Sequence, residues 1–487
     1  MQKQGFEISD FVQKQGFEIF DFVHTLLYEQ VSETDMAELE RKAYQKLREW
    51  KIQSRGKTAL LINGARRVGK SHLAEKFGKN EYASCIVIDF SVDLTEVGPM
   101  FKEDMYDMDL FFNKLSVLKS TPLFERNSLI ILDEIQCFPF ARQMVKKLVA
   151  DGRYDYIETG SLLSIKTNIE DILIPSEEIH MTLQPLDFEE FLWGMGDSTS
   201  APYIRRCFDE HTPLGEAIHK RLMNRYREYL LVGGMPGAVS EYIDTRDLAL
   251  TDLTKKSILT LYRSDIPRFA KGYENKVVSI FDEIPAQLSK KEKKFTLTSL
   301  DKNARMRTYE DAFMWLADGM IINQCFNATD PSVGLSMYLD STKQKCYMAD
   351  TGLLVTHALF DREYADNGLY KSILLDKVDV NEGMITENAT AQALRANGHK
   401  LFFYSRPEKT RDDGTRDSAI EVDFLIVRNG KVCPVEVKSS GYRTHASLDR
   451  FRAKFGKRLG QAYVVCGSDL KESDGVMYIP FYMTMLL

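Results

Sequence analysis

The chain has 487 residues, 44% of them hydrophobic and 28% charged, with a net charge of −7 and a pI near 5.8. At roughly 150 residues per domain this length calls for about three domains, and the acidic balance excludes a chain-wide footprint for nucleic acid, so any DNA contact must be local. No apolar run reaches the ~18 to 20 residues of a membrane span and no secretory leader is evident, so a soluble, cytoplasmic protein is expected.

The chain opens on a tandem duplication, Gln2–Val12 followed by Gln13–Val23, with one difference between the copies. Two copies do not make a solenoid. Residues 1–34 are read as an appendage whose apolar positions suit an amphipathic helix docking on the body of the protein or on another subunit. From Asp35 to Trp50 the residues Met36, Leu39, Ala43, Leu47 and Trp50 recur at helical spacing. The seven cysteines are scattered without a C-x-x-C pair and the eight histidines are dispersed, so neither a disulfide framework nor a transition-metal site is expected.

Between residues 35 and 186 the period changes. Ala59–Asn63, Cys85–Phe90, Ser128–Leu132 and Tyr156–Glu158 read as short buried strands, separated by helical segments at Ser71–Phe77 and Ala141–Ala150. The alternation predicts an α/β fold with a parallel sheet covered on both faces. Directly after the first strand, Gly64, Ala65, Arg66, Arg67, Val68, Gly69, Lys70 and Ser71 match G-x-x-x-x-G-K-[ST]. In such a loop the glycines let backbone N–H groups turn toward phosphates, the helix start adds partial positive charge, Lys70 reaches the β and γ phosphates of ATP, and Ser71 ligates Mg.

The strand Leu129–Leu132 ends in Asp133-Glu134. An aspartate at that tip faces Ser71 across the Mg, and the adjacent glutamate orients and polarises the attacking water, which makes Glu134 and Lys70 the candidate catalytic pair. Thr159-Gly160-Ser161 closes the next strand, where Thr159 and Ser161 are candidates to sense the γ phosphate; the other reading is a plain strand-to-loop turn.

Residues 187–275 turn mostly helical, as a lid would. Lys290, Lys291, Lys293 and Lys294 then precede Phe295–Leu300, a helix at Tyr309–Leu316 and a strand at Met320–Cys325, an order that suggests a winged-helix-like module over 276–360. With Lys302, Arg305 and Arg307 the lysines form a local basic patch, read either as DNA-contacting or as solvated surface.

Over 361–487 a helix near Glu387–Ala396 leads into a hairpin at Ala419–Ser440 and a strand at Ala462–Cys466, which read as a second α/β domain. Asn429-Gly430 is a strong two-residue turn signal. Pairing Arg428 with Lys431 across it sets Asp423 opposite Glu436 and Glu421 opposite Lys438, all on one face. Two facing carboxylates call for a cation between them, so Asp423 and Glu436 are candidate metal ligands, with Glu387 and Lys438 nearby. The alternatives are a solvated face with a Glu421–Lys438 pair, or a nuclease-like fold that serves as a binding module. Pro434 inside the second strand marks where the register would slip.

Taken with Asp133-Glu134-Ile135-Gln136, Glu158-Thr159-Gly160-Ser161, Leu186-Asp187-Phe188-Glu189-Glu190-Phe191 and Gly233-Gly234-Met235-Pro236, the phosphate loop resembles a family of prokaryotic AAA+-type ATPases. The resemblance runs from about Leu39 to the end of the chain, with Asp350-Thr351-Gly352-Leu353 and Glu436-Val437-Lys438 among its later motifs. It implies an AAA+-like ATPase core joined to a carboxy-terminal domain of unknown function, and the D-(x)n-E-x-K pattern is similar to the PD-(D/E)XK restriction-endonuclease-like core. Many relatives carry a Gly-Arg pair before the Pro-Leu-x-Phe-x-Glu-Phe segment, whereas this chain has Pro175-Ser176-Glu177-Glu178 and no arginine between Arg153 and Arg205. An arginine finger therefore stays open among Arg142, Arg153, Arg205, Arg206, Arg227 and Arg263. The sequence as a whole points to an ATPase coupled to its carboxy-terminal modules and acting on or near DNA, or to a slow nucleotide-gated binding protein with an inactive nuclease-like domain.

Overall fold

Six-residue apolar runs flanked by turn residues are short enough for strands and apolar enough to be buried on both sides, and three of them form the centre of a parallel sheet. The computed structural model describes residues 39–160, 176–290, 294–302, 304–360, 367–368, 382–410 and 416–487. In the first sheet β1 (Ala59–Gly64), β2 (Ser84–Asp89), β3 (Ser128–Asp133), β4 (Asp155–Gly160) and β5 (Glu178–Leu183) lie in the order β2-β3-β4-β1-β5, all neighbours parallel. Alternate residues serve opposite faces. Leu61, Ile130 and Leu132 pack with Val97, Phe111 and Val145 from the helices on one side, while Leu60, Ile62 and Ile131 pack with Leu47, Trp50, Leu73 and Phe77 on the other. These last four belong to α1 (Lys42–Ser54) and α2 (Lys70–Glu81). Full burial of side chains such as Phe77 stabilises the layer by about 1.5–3 kcal/mol each.

The segment expected as a lid is helical throughout, and three of its helices matter below: α3 (Glu216–Val232), the short helix Pro236–Thr245, and α4 (Leu248–Phe269). Beyond it α5 (Glu274–Ser289) and α6 (Met306–Asp318) lead into β6 (Ile322–Ala328) and β7 (Leu339–Met348). These two strands do not stand apart as a wing. They join β8 (Leu401–Arg406), β9 (Ile420–Arg428), β10 (Lys431–Lys438), β11 (Ala462–Cys466), β12 (Lys471–Ser473) and β13 (Val476–Pro480) in one eight-stranded mixed sheet of order β12-β13-β11-β10-β9-β8-β6-β7. The sheet thus runs across residue 360, where sequence patterning suggested a boundary, because β6 pairs in parallel with β8, Cys325 against Leu401.

A single apolar core extends from Leu186 and the lid helices through α5 and α6 to the second sheet and Leu487. It also holds α7 (Thr351–Ala358) and α8 (Glu382–Ala396), whose residues Leu353, Leu354 and Ala391 are buried in it. The β9–β10 turn has positive φ at both Asn429 (49°) and Gly430 (71°), the backbone that a two-residue hairpin needs. Its register is the one expected, from Arg428↔Lys431 through Leu425↔Pro434 to Phe424↔Val435, so Pro434 does not shift it. No helix among the described residues is long and apolar enough to cross a membrane. The amino-terminal duplication lies outside the described residues.

Candidate functional site

The phosphate loop is shaped by contacts that only small residues permit. A Cβ on Gly64 would stand 2.6 Å from the Leu183 carbonyl oxygen and 2.9 Å from Val68 Cγ1, so the end of β1 can press against β5 only as glycine. Gly69, at the start of α2, has φ 90°, and Arg67 also sits at positive φ (67°), so the backbone turns twice through the left-handed region that glycine adopts without strain. Lys70 lies inside the loop, 7% exposed, and its Nζ donates to the carbonyls of Gly64 at 3.2 Å and Ala65 at 3.1 Å. Burial pushes its pKa down, Glu134 and Asp133 pull it up, and Arg66 adds to the fall.

Because β4 lies between β1 and β3, its tip can bridge the loop and the acidic strand. Ser71 Oγ donates to Asp133 Oδ1 at 2.8 Å, and Thr159 Oγ1 donates to the same oxygen. The expected pair Ser71 and Asp133 is therefore brought together, with Thr159 as a third member. A hydroxyl and a carboxylate at this spacing are hard oxygen donors of the kind that Mg takes, so the residues present fit that ion. Glu134 follows in the left-handed region (φ 50°) and accepts from Gln136 Nε2. Ser161 lies outside the described residues.

Arg41 and the α4 residues Tyr262 and Asp265 support the loop and were not singled out in the sequence. Arg41, just before α1, donates from Nη1 to the Val68 carbonyl at 3.2 Å and from Nη2 to the Gln184 carbonyl at 2.6 Å, while its Nε meets Glu190 Oε1 at 3.3 Å. From α4, Tyr262 donates its hydroxyl proton to the Arg66 carbonyl at 3.1 Å and Asp265 pairs with Arg66 Nη1 at 2.6 Å. Pro236 lines the space beside Gly69, its Cγ 3.6 Å from where a Cβ on that glycine would stand. Such contacts join segments distant in sequence and leave no local signal.

Of the arginines left open as a finger, Arg142 is buried in a two-bond pair with Glu178 (3.0 and 2.7 Å), Arg153 pairs with Asp151 and Asp109, Arg205 with Glu189, and Arg263 with Asp282. Arg206 stacks over Tyr203, and Arg227 donates to Asn224 at 3.4 Å. None of these contacts aims a guanidinium at the loop.

Two residues before Pro236, the chain makes a second close approach. A Cβ on Gly234 would fall 2.1 Å from the Leu186 oxygen, and one on Gly233 2.3 Å from Asp350 Oδ1. Asp350, 1% exposed, accepts from the Gly234 amide at 2.5 Å and the Leu353 amide at 2.8 Å, with Gln392 Nε2 at 3.4 Å. Gln392, on α8, also takes the Thr351 amide at 2.8 Å and donates to the Tyr229 hydroxyl, which itself donates to the Leu186 carbonyl. Buried Lys255 of α4 donates to the Leu231 carbonyl at 2.6 Å and the Gly352 carbonyl at 3.4 Å. Burial pushes its pKa down to about 8, against Asp252 and Asp350. Burial likewise raises Asp350, opposed by the two amides and Lys255.

On the second sheet the acidic residues named from the hairpin do gather, and Glu387 joins them from α8. The cation between them is an ammonium. Lys345 of β7, 1% exposed, has Nζ 3.2 Å from Glu387, 3.2 Å from Glu421 and 3.4 Å from Asp423. Asp423 also accepts from the Val437 amide at 2.9 Å, and Lys438 pairs with Glu436 at 2.8 Å rather than across the hairpin with Glu421. Among the described residues no group of three or more His, Cys, Asp or Glu is placed to hold a metal ion. The expected metal pair Asp423 and Glu436 is thus corrected: sequence patterning brought the carboxylates together but not the lysine from a strand some eighty residues away.

Comparison with known families gives three matches. The AAA domain model covers residues 56–192, and two models of domains of unknown function, DUF8612 and DUF4143, cover 223–364 and 382–483. Residues 56–192 are thus similar to an AAA domain. The loop, Asp133, Glu134 and Thr159 all fall inside the matched residues, whereas Arg41, Pro236 and Asp350 lie outside them. No curated protein matches the chain. Among solved structures, it is similar to the Walker-type ATPase of Pyrococcus abyssi (15% identity, 66% of this chain and 96% of that one, TM-score 0.40) and to the Aeropyrum pernix ORC1 protein, solved in complex with DNA (11%, 68% and 95%, 0.25). It is also similar to a Signal Transduction ATPase with Numerous Domains from Pyrococcus horikoshii that has a tetratricopeptide repeat sensor (12%, 74% and 48%, 0.26).

Proposed function

We propose that the protein is a Mg-dependent ATPase whose nucleotide state is passed from Gly64–Ser71 to the second sheet through the Pro236–Gly233–Asp350 contact. The observation that carries this is the meeting of Ser71, Asp133 and Thr159 beside a loop that encloses Lys70. ATP phosphates would be held by the loop amides and the start of α2, with Lys70 leaving the Gly64 and Ala65 carbonyls for the β and γ oxygens. Ser71 and Asp133 would hold Mg, which would supply positive charge to the phosphates. Glu134 would take the proton of the attacking water and Thr159 would report on Asp133, with Ser161 proposed beside it. A shift of Gly69 toward Pro236 would be passed on by Gly233-Gly234, which sit tight against Asp350.

Phosphate release tests the proposal: turnover that requires Mg and is lost in Glu134→Gln supports it. Repeating the assay with DNA tests the partner proposed for Lys290, Lys294, Lys302, Arg305 and Arg307. A second reading, a nucleotide-gated binding protein with slow turnover and a silent nuclease-like domain, is favoured by Lys345 at the acidic centre. An equally slow rate in wild type and Glu134→Gln would select it.

A further inference from the structure

The second sheet opens onto a polar cleft that has no part in the ATPase reading. β10, β11 and β13 run parallel, Glu436 beside Val464 and Val464 beside Tyr478, so their carboxyl ends lie side by side. The residues that leave those ends, Ser439, Gly467 and Phe481, line a cleft of about 430 Å³ together with residues of α3. Crevices outside the carboxyl ends of parallel strands are where α/β sheets bind ligands, and this volume suits a ligand of nucleotide size. We propose that the cleft binds the phosphate of a nucleotide without a metal ion, through Lys220 and Asn224 of α3 and Ser439 at the end of β10.

Helical spacing gathers the α3 residues. Lys220, Met223, Asn224 and Arg227 stand at i, i+3, i+4 and i+7, one face of the helix, so the two cations are about 10 Å apart along its axis. Among the described residues Lys220 makes no ion pair or hydrogen bond, and neither does the Ser439 hydroxyl. Asn224 takes Arg227 Nη1 on its Oδ1 at 3.4 Å, which leaves its amide protons for a ligand. An ammonium, an amide and a hydroxyl are the donors that the three terminal oxygens of a phosphate accept. Glu382 is the one carboxylate among the lining residues, so Lys220 and Arg227 leave the cleft positive in a chain of net charge −7. Met223 and Phe481 add apolar surface for a sugar or base.

The helix and the strand ends are fixed against each other. His219 Nε2 donates to the Gly467 carbonyl at 3.1 Å, and its Nδ1 meets the Tyr482 hydroxyl at 2.9 Å. The amides of Leu214 and Gly215, which lead into α3, donate to Asp469 at 3.1 and 2.9 Å. Walls already in place lose little freedom when a ligand enters, so more of each contact appears as affinity. Lys345 neutralises the carboxylates of the same sheet, so the charge of the phosphate falls to the α3 cations rather than to a metal. This inference does not depend on ATP turnover or on the phosphate loop, so the two can fail separately.

The test uses the full-length chain carrying Lys70→Ala, in EDTA, so that neither the phosphate loop nor a metal contributes. Two probes are titrated: AMP, followed by calorimetry, and a terminally phosphorylated, fluorescein-labelled single-stranded oligothymidylate, followed by anisotropy. Saturable binding of AMP assigns the cleft to a free nucleotide, and binding of the oligothymidylate alone assigns it to a strand end. In either case Lys220→Glu should weaken the binding about tenfold or more and Asn224→Ala severalfold. Both side chains are exposed, so the melting temperature should not change. Lys146→Glu, an exposed position on the helix after β3, should leave the affinity as it was. Binding of neither probe would overturn the proposal. So would equal affinity in the Lys220→Glu chain and its parent, or a loss in Lys146→Glu as large as in Lys220→Glu, which would mark unspecific charge attraction.

Discussion

Replacing Asp350 by alanine should destabilise the protein far more than the loss of one carboxylate usually does. The side chain is the acceptor for the buried amides of Gly234 and Leu353, so its removal leaves two N–H groups without partners at about 1–3 kcal/mol each. Lys255, fully buried, would at the same time lose one of the two carboxylates that keep its charge acceptable. The two amides alone come to about 2–6 kcal/mol and Lys255 adds to this, a large part of the 5–15 kcal/mol by which a domain is typically stable. Asp350→Asn keeps the volume and one carbonyl oxygen and should lose roughly half as much. Urea unfolding followed by tryptophan fluorescence reads this directly, since buried Trp315 lies in the same core. If both variants unfold within about 1 kcal/mol of wild type, the Gly234–Asp350 contact is not the joint described above.

Other outcomes follow from single contacts. Gly234→Ala places a Cβ 2.1 Å from the Leu186 oxygen, so the backbone must move, at about 1–3 kcal/mol or more in melting experiments. Tyr262→Phe removes the donor to the Arg66 carbonyl and should weaken ATP binding severalfold with little effect on melting; unchanged affinity would show that α4 does not hold the loop. Burial raises the Glu436 carboxyl to about 8, with Asp423 adding to the rise. The folded state therefore holds this proton more tightly than the unfolded chain, and the stability it contributes below the ordinary carboxylate range is lost as pH rises toward 8. Glu436→Gln should flatten the melting curve between pH 5 and 9 by on the order of a few kcal/mol, and parallel curves for the two proteins would refute the shift.

What was legible in the sequence is what local chemistry dictates. The phosphate loop, the strand ending in Asp133 and the Asn429-Gly430 hairpin depend on residues within a few positions of each other, and the hairpin register followed from the turn alone. The strand β5 was missed because it is an edge strand whose Glu178, His180 and Thr182 break the apolar run. The placing of β6 and β7 in the second sheet was hidden for a different reason: Cys325 and Leu401 pair across a long stretch of chain, and no short pattern records that. Lys345 left one faint sign, a lysine inside Gln344–Met348, but only the fold shows which carboxylates it neutralises. Arg41 meets the loop from outside the residues that match the AAA model, so motif spacing could not find it.

The most direct measurement is a titration of ATP with Mg into wild type and Lys70→Ala. Lys70 places its charge inside the loop, where the β and γ phosphates would replace the Gly64 and Ala65 carbonyls as its partners. Wild type should bind ATP only when Mg is present at full affinity, and Lys70→Ala should lose at least about tenfold in affinity while melting as wild type does without nucleotide. Equal affinity in the two proteins would contradict the assignment of Gly64–Ser71 as the nucleotide site.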